Sequence, residues 1–320
     1  MKSLAIVFPG QGCQFVGMGT DLCSRFYHAR ERLEQADDIL GLKLSQLCSE
    51  GPEDILNDTA NTQPAIYVTT MILWEALAER MNGARGLIAF GAGHSLGEYA
   101  ALTAAGALDF EQGLRLVRER GLAMAEAGDC APGRMAAIIG LSDEVVHEII
   151  AQVQGEKLNV WVANYNSPGQ VVIAGCNEGL VRAVELAQER KAKRAIPLAV
   201  SVACHTPLMG AAAERLGAAL AETDIRRPWV PIVSNATARP LSEPEEIRKA
   251  LLRQLSSPVR WVESVQTMTR AGVTTMIEVG PKSVVTGLIR RITREVDVLN
   301  VTDEASLLGV AEALAEAAPA

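Results

Sequence analysis

Residues 90–108 read FGAGHSLGEYAALTAAGAL, and within them Gly93, His94, Ser95, Leu96 and Gly97 spell G-x-S-x-G. An apolar run, GLIAFGAG at 86–93, leads into the motif as a buried strand. The helical stretch LGEYAALTAAGAL at 96–108 leads out of it. Strand, sharp turn and helix with a serine at the tip form the predicted setting of a nucleophile elbow. The flanking glycines suit a turn in which backbones approach closely. The helix N-terminus brings free N–H groups and a positive dipole to the serine oxygen. A serine at a helix start also reads as a plain N-cap, and the strand before it favours the nucleophile.

Working outward, strands keep alternating with helices. SLAIVF at 3–8 is a first buried strand, and PAIYVTTMILWEALAERM at 64–81 is a helix apolar on most sides. This alternation predicts an α/β fold with a mostly parallel sheet covered on both faces. The composition shifts at AGDCAPGRM, 127–135, which reads as a linker. A short series follows: strand 134–141, helix 142–154, two strands within 158–175 joined by a turn at Asn166, Ser167, Pro168 and Gly169, helix 177–191 and strand 193–200. That βαββαβ order is ferredoxin-like. The expected organisation is a large catalytic part, 1–129 and 199–320, with a small inserted part, 130–198. Beyond 200, TPLMGAAAERLGAALAE reads as a helix and VPIVSNAT and TTMIEVG as strands, while the Ala-rich tail at 311–320 is expected to fray.

The 320 residues carry a net charge of −8, which argues against nucleic acid as the main partner. Two short basic clusters, Lys191, Lys193 and Arg194 and then Arg290, Arg291 and Arg294, are either solvated helix faces or docking sites for an acidic partner. The six cysteines form no C-x-x-C pair and no metal-ligand spacing, so they read as reduced thiols of a cytoplasmic protein. The N-terminal apolar run is too short for a membrane span or a signal segment and ends in Pro-Gly.

A nucleophilic serine needs a base, and the chain has only four histidines. His28 lies in a charged helix, and His147 flanks the inserted helix. His94 adjoins Ser95 and should point elsewhere, into packing. His205, in VSVACHTPLM, follows an apolar strand and precedes the helix start Thr206-Pro207. It is the candidate base, set against a structural histidine. An oxyanion hole would take the N–H of Leu96 and a second donor from a tight loop after another strand. The loop FPGQGCQ, 8–14, with Gln11 at its centre, is that candidate; otherwise it is an ordinary Gly-rich turn. It lacks the lysine of a phosphate-binding loop.

FPGQGCQFVGMG, TQPAIYV, GHSLGEYAAL, RLVRERGLAM, ANYNSPGQVVIAG, CHTPLM, SSPVRW and EVGPKSVVTGLIRR occur in that order. In this the chain resembles the malonyl-CoA:acyl carrier protein transacylases, from about residue 4 to 300. The likeness is to the discrete enzymes of bacterial fatty acid synthesis and the free-standing acyltransferases that serve polyketide synthases. The resemblance implies an α/β-hydrolase-like large part with a ferredoxin-like insertion. It implies Ser95 as nucleophile and His205 as base, the histidine being held by the backbone carbonyl of Gln254 rather than by an acid. Gln11 and Leu96 match the oxyanion donors, and Arg120 matches the arginine that binds the malonyl carboxylate. The substrates it implies are malonyl-CoA and a phosphopantetheinylated acyl carrier protein, with no further cofactor, metal, membrane or nucleic acid. Periodicity does not choose this arginine: Arg118 and Arg120 flank the stripe Phe110, Leu114, Val117, Gly121 and Met124 about equally. Val202, Ala203 and Cys204 before the histidine depart from the family's patterns and leave malonyl against a branched malonyl open. An editing hydrolase on the same fold would favour a neutral residue at position 120, and a non-catalytic docking subunit would not need the intact set.

Overall fold

The computed structural model describes residues 3–81, 83–198, 200 and 202–317. Among the described residues, ten strands fall into two sheets. The large sheet has the order β10 (Asp297–Val301), β9 (Thr275–Val279), β1 (Leu4–Phe8), β2 (Ile88–Gly93), β7 (Ile232–Val233), β8 (Pro240–Leu241). It is parallel throughout except for β8, which runs antiparallel to β7. β1 lies in its interior with every residue buried. Its side chains alternate between layers, as a pleated strand requires: Leu4, Ile6 and Phe8 enter one apolar core and Ala5 and Val7 the other. The first core is filled by the helices Thr59–Ala78 and Phe110–Cys130, the second by the helices Trp261–Arg270 and Val285–Ile292. No described helix is long and apolar enough to cross a membrane.

The second sheet is antiparallel, with order β4 (Val160–Ser167), β5 (Gln170–Cys176), β3 (Gly133–Ile139), β6 (Arg194–Pro197). The helices Asp143–Gly155 and Asn177–Glu189 contribute to a third core against it. The expected α/β class, with a mostly parallel sheet and a βαββαβ unit, is what the chain adopts. The small sheet joins the large part at β4, through Val259, which lies between the helices Pro244–Gln254 and Trp261–Arg270. Val259 donates to the Ala163 carbonyl at 2.8 Å, and Tyr165 donates to the Val259 carbonyl at 2.9 Å.

Several boundaries differ from expectation. The linker read at 127–135 narrows to Ala131 and Pro132: the helix Phe110–Cys130 takes its first four residues, with Ala127 and Gly128 buried, and β3 starts at Gly133. The helix expected from Pro64 starts at Thr59, capped by Asp58, whose side chain accepts from the Ala60 N–H. The N–H that Pro64 lacks would have served the Ala60 carbonyl; Arg118 donates to that oxygen instead at 2.7 Å. VPIVSNAT holds only a two-residue strand, and the turn at 166–169 narrows to Pro168 and Gly169. The Ala-rich tail does not fray where it is described: the helix Glu304–Ala317 buries Leu307, Val310 and Leu314. Position 199, where the large part was expected to resume, and the last three residues of the tail lie outside the described residues.

Candidate active site

The site gathers at the C-terminal ends of the parallel strands, where doubly wound sheets place their ligands. β2 ends at Gly93 and the next helix starts at Gly97, leaving three residues for the turn. Ser95 sits at its tip with φ 52°, a left-handed conformation costly for any residue with a Cβ. Close approach fixes the glycines. A Cβ at Gly93 would collide with the backbone of Gly97 and Glu98, and one at Gly97 with the carbonyls of Phe8 and Pro9. The turn is clamped from outside. Ser95 donates its N–H to Asn235 Oδ1 at 2.6 Å, and its carbonyl accepts from Gln254 Nε2 at 2.9 Å.

Ser95 Oγ lies 2.8 Å from His205 Nε2. On the far side of the ring, Nδ1 lies 2.8 Å from the Gln254 carbonyl. A carbonyl only accepts, so Nδ1 carries the proton and Nε2 is free to accept from the serine hydroxyl. His205 is buried, with φ 61°. Burial, then the Arg120 charge beside it, pushes its pKa down to about 3, against a smaller opposing effect of the Gln254 carbonyl. The imidazole is therefore neutral at pH 7, as a base must be.

Arg120, from the Phe110–Cys130 helix, is only 1% exposed. Nη1 donates to Gln63 Oε1 at 2.7 Å; Nη2 donates to Ser95 Oγ at 3.0 Å and to Gln254 Oε1 at 3.1 Å. Nε has no partner among the described residues. The guanidinium stands over the Tyr99 ring at 5.7 Å. A buried cation held by neutral oxygens, with a spare donor, suits a small acid that arrives with the substrate. Arg118 faces away, donating to the Ala60 carbonyl and Asn61 Oδ1. The structure thus separates the two arginines that periodicity left equal.

Gln11 follows β1 and is half-buried, its side chain donating to Thr59 Oγ1 at 3.2 Å. Leu96 is buried at the helix start. No acceptor among the described residues takes either backbone N–H. His94 turns away from the serine as expected: Nε2 lies 2.8 Å from Asn166 Oδ1 in β4, and its ring meets Trp261 edge-on. His28 is exposed beside Glu31, and His147 pairs with Tyr165. Cys204 is buried, and burial pushes its thiol up to about 11.

Three residues of the site were not singled out from sequence: Gln63, Asn235 and Glu98. Glu98 had a signal that misleads. Ser95 and Glu98 have the S-x-x-E spacing of a capping box, yet the helix start has no side-chain cap. Glu98 instead turns inward, 2% exposed, and accepts from Gln254 Nε2 at 2.7 Å and from the Asn235 N–H at 3.1 Å.

The chain matches known proteins along nearly its whole length. The acyl transferase domain family matches residues 5–312. The chain is 43% identical over 314 residues to a malonyl CoA-acyl carrier protein transacylase of Haemophilus influenzae, covering 98% of this chain and all of that one. It superposes on the crystal structure of a malonyl-CoA:acyl carrier protein transacylase of Xanthomonas oryzae with TM-score 0.93 and 41% identity, over 98% of both chains. A malonyl-transacylase solved in complex with its type II polyketide synthase acyl-carrier protein gives TM-score 0.92 and 42% identity, over 98% of this chain and all of that one.

Proposed function

The chain belongs to the acyl transferase family, and from that premise we propose that it moves a malonyl group from coenzyme A to the phosphopantetheine thiol of an acyl carrier protein, supplying units for fatty acid or polyketide synthesis. One observation carries the choice of acyl group: the buried Arg120 guanidinium, 3.0 Å from Ser95 Oγ and held by neutral oxygens. A malonyl carboxylate supplies the missing countercharge. An acetyl group would leave the cation desolvated and unpaired.

In the reading we favour, Ser95 Oγ attacks the thioester carbon while His205 Nε2 takes its proton. The Gln254 carbonyl holds Nδ1–H and so keeps the ring in the accepting tautomer. The N–H groups of Gln11 and Leu96 receive the oxyanion. The thioester C–S bond breaks, and His205 returns the proton to the departing CoA sulfur. The carrier's pantetheine thiol then gives its proton to His205 and attacks the malonyl ester, and Ser95 leaves with that proton. One thioester is exchanged for another, so the cycle has no step that calls for a nucleotide, metal or redox group. A cytoplasmic setting fits six unpaired cysteines. For the acidic carrier, the exposed clusters Lys191, Lys193 and Arg194 and Arg290, Arg291 and Arg294 are the docking candidates.

The test is intact-mass measurement of the protein after malonyl-CoA, acetyl-CoA or a branched malonyl-CoA, followed by addition of a holo carrier protein. Malonyl on Ser95 that transfers to the carrier supports the proposal. Loss of the acyl group to water with the carrier left unloaded favours an editing hydrolase, and a branched malonyl loading faster than malonyl reassigns the substrate.

A further inference from the structure

Glu98 is a buried carboxylate to which the transfer chemistry assigns no step. It sits one helical turn after the nucleophile, and the same oxygen, Oε2, accepts from Gln254 Nε2 and from the Asn235 N–H. Those two residues are the ones that clamp the Ser95 turn. Asn235 also donates Nδ2 to the Gly93 carbonyl, so it spans the turn. Gln254 contributes three ways. Its backbone carbonyl faces His205 Nδ1, its Nε2 faces the Ser95 carbonyl, and its Oε1 accepts from Arg120.

An amide side chain has two faces of nearly equal shape and opposite polarity. Turned over, Gln254 would point its NH2 at the Arg120 guanidinium and its oxygen at the Ser95 carbonyl, donor against donor and acceptor against acceptor. The Arg120 contact and the Ser95 carbonyl already favour the observed orientation, and Glu98 Oε2 adds a third partner, an acceptor that faces the NH2 side. We infer that Glu98 is a positioning residue: its carboxylate locks the Gln254 amide so that Arg120 stays aimed at the incoming acyl acid and the Ser95 turn stays closed. Burial raises the Glu98 pKa to about 7, against the hydrogen bonds from Gln254 and Asn235 and the nearby Arg120 charge. The acceptor lone pairs are present in either protonation state, because one oxygen takes both bonds.

The inference rests on the malonyl reading of the site, and the test keeps the two apart. Serine loading from malonyl-CoA and acetyl-CoA is measured as kcat/KM for the unchanged protein and for Glu98→Gln, Glu98→Asp and Glu98→Leu, with labelling of Ser95 by phenylmethylsulfonyl fluoride in parallel. Glu98→Gln keeps an oxygen for both donors and is expected to load within about threefold of the unchanged protein. Glu98→Leu removes the acceptor, and Glu98→Asp withdraws it by one methylene. Both are expected to lower the malonyl-to-acetyl ratio by about 10- to 100-fold, the loss that outer orienting partners cause at metal sites. In a Gln254→Ala background the same changes should add little, because the amide they orient is gone. Overturning results are an unchanged ratio in Glu98→Asp, a Glu98→Gln protein as impaired as Glu98→Asp, or losses that simply add to that of Gln254→Ala. Should Glu98→Leu fail to fold, the Asp and Gln variants carry the comparison. If the unchanged protein takes no malonyl, the substrate reading falls by itself. The positioning role then stands or falls on whether sulfonyl labelling of Ser95 slows in Glu98→Asp and not in Glu98→Gln.

Discussion

Arg120→Ala is expected to cut malonyl loading by about 30- to 5,000-fold, the equivalent of about 2–5 kcal/mol for truncating one partner of a buried charge pair. Acetyl loading should change far less, so the ratio of the two kcat/KM values is the measurement. Arg118→Ala should leave that ratio alone but destabilise the fold by about 1–3 kcal/mol, because the Ala60 carbonyl opposite Pro64 loses its donor. A collapse of the ratio in Arg118→Ala and not in Arg120→Ala would reverse the assignment. His205 gives a second expectation. With its pKa pushed down to about 3, the kcat/KM for loading should stay flat from pH 8 to pH 5 instead of halving near the ordinary imidazole value of 6.5. Ser95 and His205 were legible because a G-x-S-x-G between strand and helix is rare and the chain offers few histidines. Arg120 was not legible from pattern, since positions two apart flank a helical stripe on either side. Glu98 and Asn235 were hidden because their work is to face other residues of the site, and no local pattern records which way a side chain turns.

Among the elements, the strand-turn-helix at 88–104 sets the tightest tolerance. Gly97→Ala would force a methyl into the Phe8 and Pro9 carbonyls. We expect a loss of about 1–3 kcal/mol, as for other overpacked sites, read as a lower Tm together with slower loading of Ser95. Gly287→Ala, in the helix Val285–Ile292 with open space around the added Cβ, should instead raise Tm, gaining up to about 1 kcal/mol in helix propensity. Equal effects from the two would show that close approach is not what the elbow glycine answers to. Most elements were visible in apolar periodicity, and their ends were not. Ala127 and Gly128 read as linker by composition, yet they continue a helix because burial against neighbouring helices outweighs the weak propensity of one glycine. β10 went unread, its five residues being too few and too mixed to separate from the charged stretch before them.

For the molecule as a whole, the buried imidazole ties stability to pH. An unfolded chain protonates His205 near 6.5, and the folded chain only at about 3. Between those values the unfolded state holds more protons, so this contribution is complete above pH 6.5 and is lost as the pH falls toward 3. Glu98, raised to about 7, has the opposite slope, because the folded state then holds the extra proton between its ordinary value and pH 7. Denaturation of His205→Gln at pH 7.5 and pH 5 isolates the first effect: the variant should lose less stability between the two than the unchanged protein. An equal loss would mean the imidazole is not held neutral. The alternation of strands and helices announced a parallel sheet and a βαββαβ unit, but neither the order of strands within each sheet nor the join of β4 to the segment at Val259 followed from it, since both use backbone groups distant in sequence. That join bears on modularity. The 133–197 unit begins and ends on neighbouring strands, which suggests a cassette that could be swapped between relatives. Yet β4 lends Ala163 and Tyr165 to Val259, five residues from the carbonyl that holds His205, and lends Asn166 to the neighbour of the nucleophile. A graft that preserved both ends but slipped β4 by one residue would turn those groups to the opposite face. A successful chimera must therefore inherit the seam's register along with the fold.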